Sequence, residues 1–597
     1  MASPVSSNNI STGRMIAAAT ILAAVGGGGT YLLLRPTLPE QVRGAFPALP
    51  DFKSEPTILQ GKLQQAYTKT ATSGSVADLA AYGRLLHANG FAAEASQAWQ
   101  VLLSVDPTEP RWSYYLAHLR RDSGDMGETT LWLQQTVEIN PNYRPAWLQL
   151  GDMALKSARF ERARNYYGEC LRLLPGAPYA RIGLARIEQQ EGKRDSAQKA
   201  LLELVEDHPS FPSAHNLLAQ MYRESGDQSR ANLHRWEGYR AGRFITMEDP
   251  WMRELEIQCF TPAKLFIIGM MDFQANRGDR GQSAYEKAVQ CAPKDPGNHE
   301  LLGDLYRKLK EPQLARRSLS QSISLSDAAG VAPSLLAFIH LAAVERELGE
   351  FQTSREVAER GRIAHARSPE ILVELGLTLT ALGENEAAGV AFRDAIELSP
   401  HDTAAQFHLG EWWLRKDQTD QAIPHFEKSL VLQPTFAPAL RYLLQYTLGT
   451  GQLDSAQDYA DTLLGAYYGD SEVRQLVAIC YLRLGRRGLE RNAVSEAITH
   501  FQIAYDLDSD DVDIAFELGT LQLAQGEFKA ATPPLEVLIA NRPTDASAHL
   551  FLAQAYLMDG RPRAARALLE KGLTLAEQAG NAGTAGNIRE MLEAITR

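Results

Sequence analysis

Residues 144–175 read RPAWLQLGDMALKSARFERARNYYGECLRLLP, and this stretch decides the fold of the chain. It predicts two short helices joined by a tight turn near Ala158, because apolar and small residues recur three and four positions apart on either side. Pro175 ends the second helix. Small residues stand where the helices must come close, and large ones fill the space beside them. The residues on the two facing stripes are Trp147, Leu150, Gly151, Ala154, Ala163, Tyr167 and Cys170.

The same pattern returns at a fixed interval along the chain. A period of 34 residues predicts stacked helical hairpins, because one hairpin is too small to bury its own apolar face. The prolines that keep this spacing are Pro107, Pro141, Pro175 and Pro209, and later Pro400 and Pro434.

The order of large, small and aromatic residues within each unit resembles the tetratricopeptide repeat (TPR) family. The resemblance covers nearly everything from Val76 to the C-terminus. It implies an all-α fold, a right-handed superhelical α-solenoid of TPR helical hairpins, to which a single N-terminal transmembrane helix is added below. The residues that carry it are Trp147, Leu150, Gly151, Ala163, Tyr167 and Pro175, and likewise Leu372, Leu375, Gly376, Gly383, Ala388, Phe392, Ala395 and Pro400.

Length and charge narrow the functional classes. At 597 residues the chain exceeds a single core, which a solenoid resolves because its core grows in one dimension. The net charge of −12 argues against nonspecific nucleic-acid binding, which needs a basic surface. We therefore expect no nucleic-acid partner.

Residues 15–34, MIAAATILAAVGGGGTYLLL, carry no charge and lie between Arg14 and Arg35. A helix of this length spans about 30 Å, the hydrocarbon thickness of a bilayer, so we predict a single-pass transmembrane anchor. The alternative is a cleaved signal peptide with a cut near Gly26. Residues 1–14 are predicted to be disordered. The charge on either side places the repeats outside the cytoplasm, which in a bacterium is the periplasm.

The remaining chain divides into four segments. Residues 35–53 form a Pro-rich linker, residues 54–243 an N-terminal TPR array, residues 244–261 a non-repeat block containing Asp-Pro-Trp, and residues 262–597 a C-terminal TPR array with a closing helix. In the block, Asp249 is a good helix N-cap and Pro250 a good first helical residue. Hairpins are predicted to start at Val76, Pro110, Arg144, Pro178, Pro212, Pro262, Pro296, Leu335, Pro369, Thr403, Ala437, Ser471, Val512 and Ala546.

No catalytic or cofactor motif emerges from the sequence. It contains no HExxH, GxSxG, Walker loop or Rossmann fingerprint, and its four cysteines form no CxxC pair. An acidic run at residues 506–517 has the spacing of an EF-hand loop, but Asp511 replaces the turn glycine, which favours a solvated turn. We therefore expect a protein that is not an enzyme and binds no cofactor or metal.

The concave groove is the candidate binding surface. The resemblance implies that the first helix of each hairpin lines this groove. In the first array the lining is basic and dotted with aromatic rings, which suits an acidic peptide segment or a chain carboxylate because arginine makes bidentate bonds. The predicted peptide-binding residues there are Arg84, Arg111, Tyr114, His118, Arg121, Tyr179, Arg186, Asn216 and Arg223.

The second array has a different lining, with Phe266, Phe273 and Phe407, which suits apolar or helical segments. Trp251 and Met252 of the non-repeat block have two interpretations. They fill the gap where the stack is interrupted, or they form an exposed hinge or docking surface.

We therefore expect a non-enzymatic interaction scaffold that binds partner polypeptides in the TPR groove next to a membrane, in envelope or secretion complex assembly. Two alternatives remain open: a soluble, secreted peptide-binding TPR protein after signal cleavage, and an outer-membrane import-type receptor. The family's carboxylate clamp of Lys and Asn is replaced by Ala80 and Arg84 in the first hairpin, which disfavours a chaperone-tail receptor. No oligomeric state follows from the sequence.

Overall fold

In the computed structural model, every regular element of the described chain is an α-helix. The structure describes residues 44–240 and 247–596, together with residues 38 and 40. The predicted disordered segment 1–14 and the predicted anchor 15–34 lie outside these residues. None of the helices described is both long enough and apolar enough to span a membrane.

The first array consists of a leading helix and five hairpins. The first helix of each hairpin begins at the residue where the sequence places the start of a repeat. The helices are α1 (Thr57–Ser73), α2 (Val76–Asn89), α3 (Ala92–Val105), α4 (Pro110–Asp122), α5 (Met126–Ile139), α6 (Arg144–Lys156), α7 (Phe160–Leu173), α8 (Pro178–Gln190), α9 (Arg194–Asp207), α10 (Pro212–Glu224) and α11 (Gln228–Arg240).

A short helix, α12 (Pro250–Ile257), separates this array from the second. The second array has nine hairpins and a closing helix. Its helices are α13 (Pro262–Gln274), α14 (Gly278–Cys291), α15 (Pro296–Lys308), α16 (Pro312–Ala328), α17 (Leu335–Glu347), α18 (Phe351–Ala364), α19 (Pro369–Ala381), α20 (Asn385–Leu398), α21 (Thr403–Leu414), α22 (Thr419–Leu432), α23 (Ala437–Thr450), α24 (Leu453–Tyr467), α25 (Ser471–Glu490), α26 (Val494–Leu507), α27 (Val512–Ala524), α28 (Phe528–Asn541), α29 (Ala546–Met558), α30 (Pro562–Gln578) and α31 (Ala582–Thr596).

A large ring packed against a glycine closes several of these hairpins. Tyr167 of α7 is fully buried, and a Cβ added to Gly151 or Gly183 would lie 2.5 or 2.4 Å from its ring. In the second array Phe392 meets Gly376 in the same way, at 2.4 Å. The glycines let two helices approach closely, and the ring fills the space between them.

The turns between paired helices adopt a left-handed conformation. Gly124 and Gly192 have φ of 85° and 81°, and Ala158, the turn residue predicted above, has φ of 52° in the equivalent position. A side chain is disfavoured in this region, so Ala158 carries a small strain that its glycine counterparts avoid.

The acidic run at residues 506–517 lies where α26 ends and α27 begins, and it contains the N-cap of α27. Asp511 precedes α27, and its Oδ1 accepts hydrogen bonds of 2.9 Å from the backbone N–H groups of Asp513 and Ile514. Asp513 in turn pairs with Arg542 at 3.0 Å. The Asp511 carboxylate thus caps α27 and the Asp513 carboxylate forms an ion pair, which is typical of a solvated turn before a helix.

Parts of the predicted linker lie against the first hairpin. The hydroxyl of Tyr82 donates to the carbonyl of Ala48 at 3.1 Å, and Gln97 donates to the carbonyl of Ala45 at 2.9 Å. Residues 44–53 are therefore irregular, as expected of a Pro-rich spacer, but they pack on the solenoid and do not stand free of it.

The two arrays touch at both ends of the first one. Near its start, the Lys264 ammonium of α13 donates to the carbonyl of Ala88 in α2 at 3.3 Å. Near its end, Arg235 of α11 donates to the carbonyl of Gly465 in α24 at 2.5 Å. The second array therefore does not continue the first stack but begins beside its first hairpin.

Candidate functional site

Residues 247–261, named here the strap, cross the first array and lead back to its first hairpin. Asp249 caps α12: its Oδ1 accepts from the backbone N–H of Met252 at 3.1 Å, and Pro250 occupies the first turn. The sequence predicts this cap and this helix start. The sequence does not show where α12 lies: it packs against α2 of the first hairpin.

Two tyrosines of the first array bind the Asp249 carboxylate. The Tyr114 hydroxyl of α4 donates to one oxygen, and the Tyr143 hydroxyl, just before α6, donates to the other at 2.5 Å. Burial, reinforced by the nearby Asp249 charge, raises the pKa of both tyrosines above the ordinary value. Both hydroxyls therefore stay protonated and serve as donors.

The indole of Trp251 covers the same two tyrosines. Its ring stacks on Tyr143 with centroids 3.4 Å apart and an interplanar angle of 9°, and it meets Tyr114 edge to face at 5.3 Å. Trp251 and Met252 are half-buried and pack on the core of the first array. Both side chains therefore lie against the first array.

A second set of contacts holds the middle of the strap. The Tyr115 hydroxyl lies 3.2 Å from the carbonyl of Trp251 and 3.3 Å from Glu254 Oε2. Arg111 makes paired 2.8 Å hydrogen bonds to Glu109 and lies 3.7 Å from Glu254. Tyr115 and Arg111 of α4 thus both lie beside the Glu254 carboxylate of the strap.

Asn89 fixes the C-terminal end of the strap. Its side chain is 6% exposed, donates to the carbonyl of Gln258 at 2.8 Å and accepts from the backbone N–H of Phe260 at 2.6 Å. The ammonium groups of Lys62 and Lys287 lie 4.6 and 4.3 Å from the centre of the Phe260 ring. This end is therefore bound by both arrays.

A cavity of 670 Å³ lies between the first array, the strap and the first hairpin of the second array. It brings together five of the residues singled out in the sequence. These are His118, Arg121, Tyr179, Arg186 and Met252. Its other wall includes Met271, Arg277 and Arg280 of the second array, which sequence reasoning missed.

Five arginines line the cavity and fall into two groups, and Arg253 of the strap belongs to the paired group because it lies 2.7 Å from Glu256. Arg277 pairs with the buried Asp272 at 2.7 Å, and Arg280 lies within 4 Å of Asp272 and of two glutamates. Arg186 makes no ion pair within 4 Å in the described part of the chain, and Arg121 lies 3.4 Å from Gln149 and forms an ion pair of 3.4 Å with the exposed Asp122. The first-array pair therefore keeps donors for a ligand.

His118 is buried at the cavity wall, with 3% of its surface exposed. Burial, followed by the charge of Arg121, lowers the pKa of His118 well below the ordinary value. Its ring is therefore neutral at pH 7 and adds no positive charge to the lining. Its Nε2 lies 3.1 Å from Gln149, and its Nδ1 has no hydrogen-bond partner among the residues described.

Asp152 lines the same wall as Arg186. Its Oδ1 accepts a 2.7 Å hydrogen bond from Tyr167, and burial raises the pKa of Asp152 despite that bond and the Arg186 charge. Burial also raises the pKa of Tyr179 to about 12, so its hydroxyl is a neutral donor. This wall thus combines two arginines with the Asp152 carboxyl, the neutral His118 ring and the Tyr179 hydroxyl.

The other predicted site residues lie elsewhere. Arg84 is half-buried, and Asn216 and Arg223 are exposed on α10; all three lie outside the residues that line the cavity. The three phenylalanines of the second array pack against other rings of their own array: Phe266 and Phe273 contact Tyr285, and Phe407 contacts Phe426 and Phe436.

Comparison with family models matches three segments of the chain to the tetratricopeptide repeat. The matched residues are 154–221, 369–402 and, in two overlapping matches, 489–546 and 516–582.

Two curated relatives illustrate the range of similar proteins. Cellulose synthase operon protein C of Xanthomonas axonopodis pv. citri is 24% identical over 86% of this chain and 34% of its own length. The TPR repeat-containing thioredoxin TTL4 of Arabidopsis thaliana is 22% identical over 54% of this chain and 50% of its own. The chain thus spans half or less of the length of these two relatives.

Among solved structures, a crystal structure of MamA aligns with 28% of this chain and 95% of its own, at 23% identity and a TM-score of 0.25. The Cut9 and Hcn1 complex structure aligns with 85% of this chain and 94% of its own, at 13% identity and a TM-score of 0.27.

Proposed function

We propose that this chain, with its tetratricopeptide repeats, is a non-enzymatic scaffold that binds acidic segments of partner polypeptides. The binding site is the cavity between the first array, the strap and α13–α14. Stacked helical hairpins present extended concave surfaces, which supports a role in binding other chains.

One observation carries this proposal: Arg186 lines the cavity with no ion pair within 4 Å among the described residues, and the neighbouring Arg121 pairs only with the exposed Asp122, at 3.4 Å. A guanidinium offers a planar fork of donors that fits a carboxylate in a bidentate manner. On the same wall His118 and Tyr179 are neutral, and the Asp152 carboxyl accepts a hydrogen bond from Tyr167.

The size and apolar part of the cavity restrict its occupant. At 670 Å³ it lies within the usual range of about 300–1,000 Å³ for small-ligand sites, so it takes a few residues of an extended segment. Met252 of the strap and Met271 of α13 supply flexible apolar walls that adapt to different side chains. The favoured ligand is therefore a carboxylate next to an apolar side chain.

The location next to a membrane is also a proposal. It rests on residues 15–34, whose uncharged run is long enough to span a bilayer with the repeats on the periplasmic side. Two relatives, from Xanthomonas and Pseudomonas, are named cellulose synthase operon protein C, which supports a role in envelope or secretion complex assembly. Membrane fractionation with protease protection of the repeats tests this location.

The cavity is tested by titrating a fluorescent peptide with acidic and apolar residues into the full chain. We expect the variant Arg121→Glu with Arg186→Glu to bind the peptide at least about tenfold more weakly, since each carboxylate contact is lost and replaced by repulsion. Arg223→Glu is the matched control, because Arg223 is an exposed arginine of the same array outside the cavity. Equal affinity in all three proteins would contradict the proposal.

A further inference from the structure

We propose that the strap is an internal ligand, and that the surface it covers also binds an external segment of the same chemistry. That surface, named here the clamp face, consists of Arg111, Tyr114, Tyr115 and Tyr143. Its external ligand is a polypeptide segment with a carboxylate two residues before an aromatic ring, as in Asp249-Pro-Trp251. This inference rests on the proposed function and adds both the partner chemistry and its regulation.

The contacts on the clamp face are specific and polar, unlike those of a general apolar seam. Asp249 receives two tyrosine hydroxyls on separate oxygens, and the Trp251 ring lies flat on Tyr143. The carbonyl of Trp251 accepts from Tyr115. Short peptide motifs are recognised through a few anchor residues. Here the anchors are a carboxylate bound by two donors and an aromatic ring stacked beside it.

Charge is complementary across this contact. The strap contributes four acids, Glu248, Asp249, Glu254 and Glu256, against one base, Arg253. Arg111 faces Glu254, and Arg280 lies within 4 Å of Glu248 and Glu256. An acidic external segment would meet the same cations, and these would also speed its encounter.

The strap has the properties of a segment that folds when it docks. Its helix α12 has eight residues, whereas an isolated helix shorter than about 12–15 residues is marginal in water. Of the α12 side chains only Leu255 is buried, while Trp251 and Met252 are half-buried and Ile257 is 55% exposed. The docked state thus depends on the clamp contacts more than on a core.

The two ends of the strap are held with unequal strength. Residues 258–261 are fixed by Asn89, and Cys259 is buried. Residues 247–257 rely on the clamp face and Leu255. Release of this first part would leave the second array attached through residues 258–261, so exchange of the strap for a partner would not separate the arrays.

Covalent linkage gives the strap a large advantage over a free segment. A tethered segment acts at an effective concentration of about millimolar, so an external copy binds weakly until the internal one is loosened. A partner must therefore match or improve on the Asp249 and Trp251 contacts. We therefore expect an external segment to bind weakly to the wild-type chain and more tightly when substitutions weaken the docking of the strap.

The test uses a labelled synthetic peptide of residues 247–257, MEDPWMRELEI, added to the full chain. We expect Trp251→Ala, and more strongly Asp249→Asn with Trp251→Ala, to bind it at least about tenfold more tightly than the wild type. A peptide with Asn and Ala in place of its Asp and Trp should not bind. Adding Tyr143→Phe to the double variant should weaken binding again, since stacking remains while one hydroxyl donor is lost.

Circular dichroism melting establishes that each variant is folded. A folded double variant that binds the peptide no better than wild type overturns the inference, as does equal binding of the Asn/Ala control peptide. If a double variant fails to fold, hydrogen exchange in the wild-type chain decides: excess peptide should accelerate exchange of the α12 amides, and unchanged exchange overturns the inference.

This test is separable from that of the cavity. Arg121→Glu with Arg186→Glu reports on the cavity, whereas Tyr143→Phe reports on the clamp face, because Tyr143 does not line the cavity. In the wild-type background Tyr143→Phe should leave acidic-peptide binding at the cavity within about twofold. Acidic-peptide binding that does not change in Arg121→Glu with Arg186→Glu, together with strap-peptide binding as expected, would reject the proposed cavity ligand alone. Acidic-peptide binding that falls in that variant, together with no strap-peptide binding, would reject the clamp face alone.

Discussion

The concave side of the first array is covered by the chain itself, whereas the first helices of the second array leave large apolar side chains open to solvent. In the first array, Tyr114 is fully buried beneath the strap. In the second, Met270, Leu301 and Leu336 are 46%, 46% and 51% exposed. Both arrays share the same glycine and ring packing within hairpins, as at Gly151 with Tyr167 and Gly376 with Phe392.

The difference shows that the repeat pattern determines the scaffold and not the accessible surface. Each hairpin needs only its neighbours to bury its core, so the pattern repeats wherever the sequence does. A segment outside the repeat can then cover one face and leave another open. The first array thus becomes a site with a built-in occupant, and the second offers a bare apolar surface.

The largest expected effect comes from removing a buried aromatic ring, and it should differ between a ring beneath the strap and one far from it. Trp99→Ala and Phe501→Ala each remove a fully buried ring, so each should cost about 3–5 kcal/mol of stability. Trp99 packs against Tyr115 at 4.8 Å, so only its loss should also expose the strap. Urea denaturation measures the loss of stability, and hydrogen exchange of the α12 amides measures exposure of the strap. Equal α12 exchange in the two variants would show that the strap does not depend on the core beneath it.

Acid should weaken the covered array through His87. Burial lowers its pKa from the ordinary value to about 3, while Trp99 donates to its Nδ1 at 3.4 Å. Between about pH 6.5 and pH 3, His87 binds a proton in the unfolded chain but stays neutral in the folded chain. Its contribution to the free energy of unfolding is therefore fully present above pH 6.5 and is lost as the pH falls.

Urea midpoints at pH 7.5 and 5 measure this loss. His87→Gln removes the titrating group and should flatten the dependence, although its midpoint at pH 7.5 will also be lower. A wild-type midpoint that does not change between the two pH values would contradict the expected role of a neutral, buried His87.

Asn89→Ala should loosen the fixed end of the strap. It leaves the backbone N–H of Phe260 and the carbonyl of Gln258 without their partner, which should cost about 1–3 kcal/mol. Asn541→Ala is a matched control, because Asn541 donates to the carbonyl of Val537, four residues earlier, at 3.1 Å and is exposed. Asn541→Ala should leave the melting temperature nearly unchanged. A similar loss of stability in both variants would contradict the role assigned to the Asn89 contacts with the strap.

The smallest effect concerns turns, where the arrays differ in how often glycine is used. Ala158 and Lys310 have φ of 52° and 59°, so Ala158→Gly and Lys310→Gly should each raise stability by about 0.5 kcal/mol. Ala530→Gly, at an exposed position inside α28, should lower it by about 1 kcal/mol. Destabilisation by all three would show that turn strain is negligible.

Much of the scaffold could be predicted from local patterns. The hairpin starts at Val76, Pro110 and Pro262 are the first residues of observed helices, and the turn near Ala158 has the left-handed conformation that a tight turn requires. The first array, predicted to begin at residue 54, has its first helix at Thr57–Ser73. Such features depend on residues three to seven positions apart, which a single sequence displays directly.

The site was predicted only in part. The cavity does collect Arg121, Tyr179 and Arg186 from three successive hairpins, because the repeat places equivalent positions on one face. The burial of Tyr114 and His118 could not be predicted, since the segment near them lies far away in sequence. The contribution of Arg277 and Arg280 was missed for the same reason.

By itself, the sequence determined the hairpins, their register and the cap at Asp249, since each depends on short-range spacing and backbone hydrogen bonding. Only the tertiary structure decided that Asp249 meets Tyr143 across 106 residues and Tyr114 across 135. Nothing local selects those partners: a capping aspartate satisfies its helix in any environment, and only the return of the chain across the first array brings the two hydroxyls to it. The covered face and the cavity beside it therefore arise from how the arrays are arranged, not from the repeat itself.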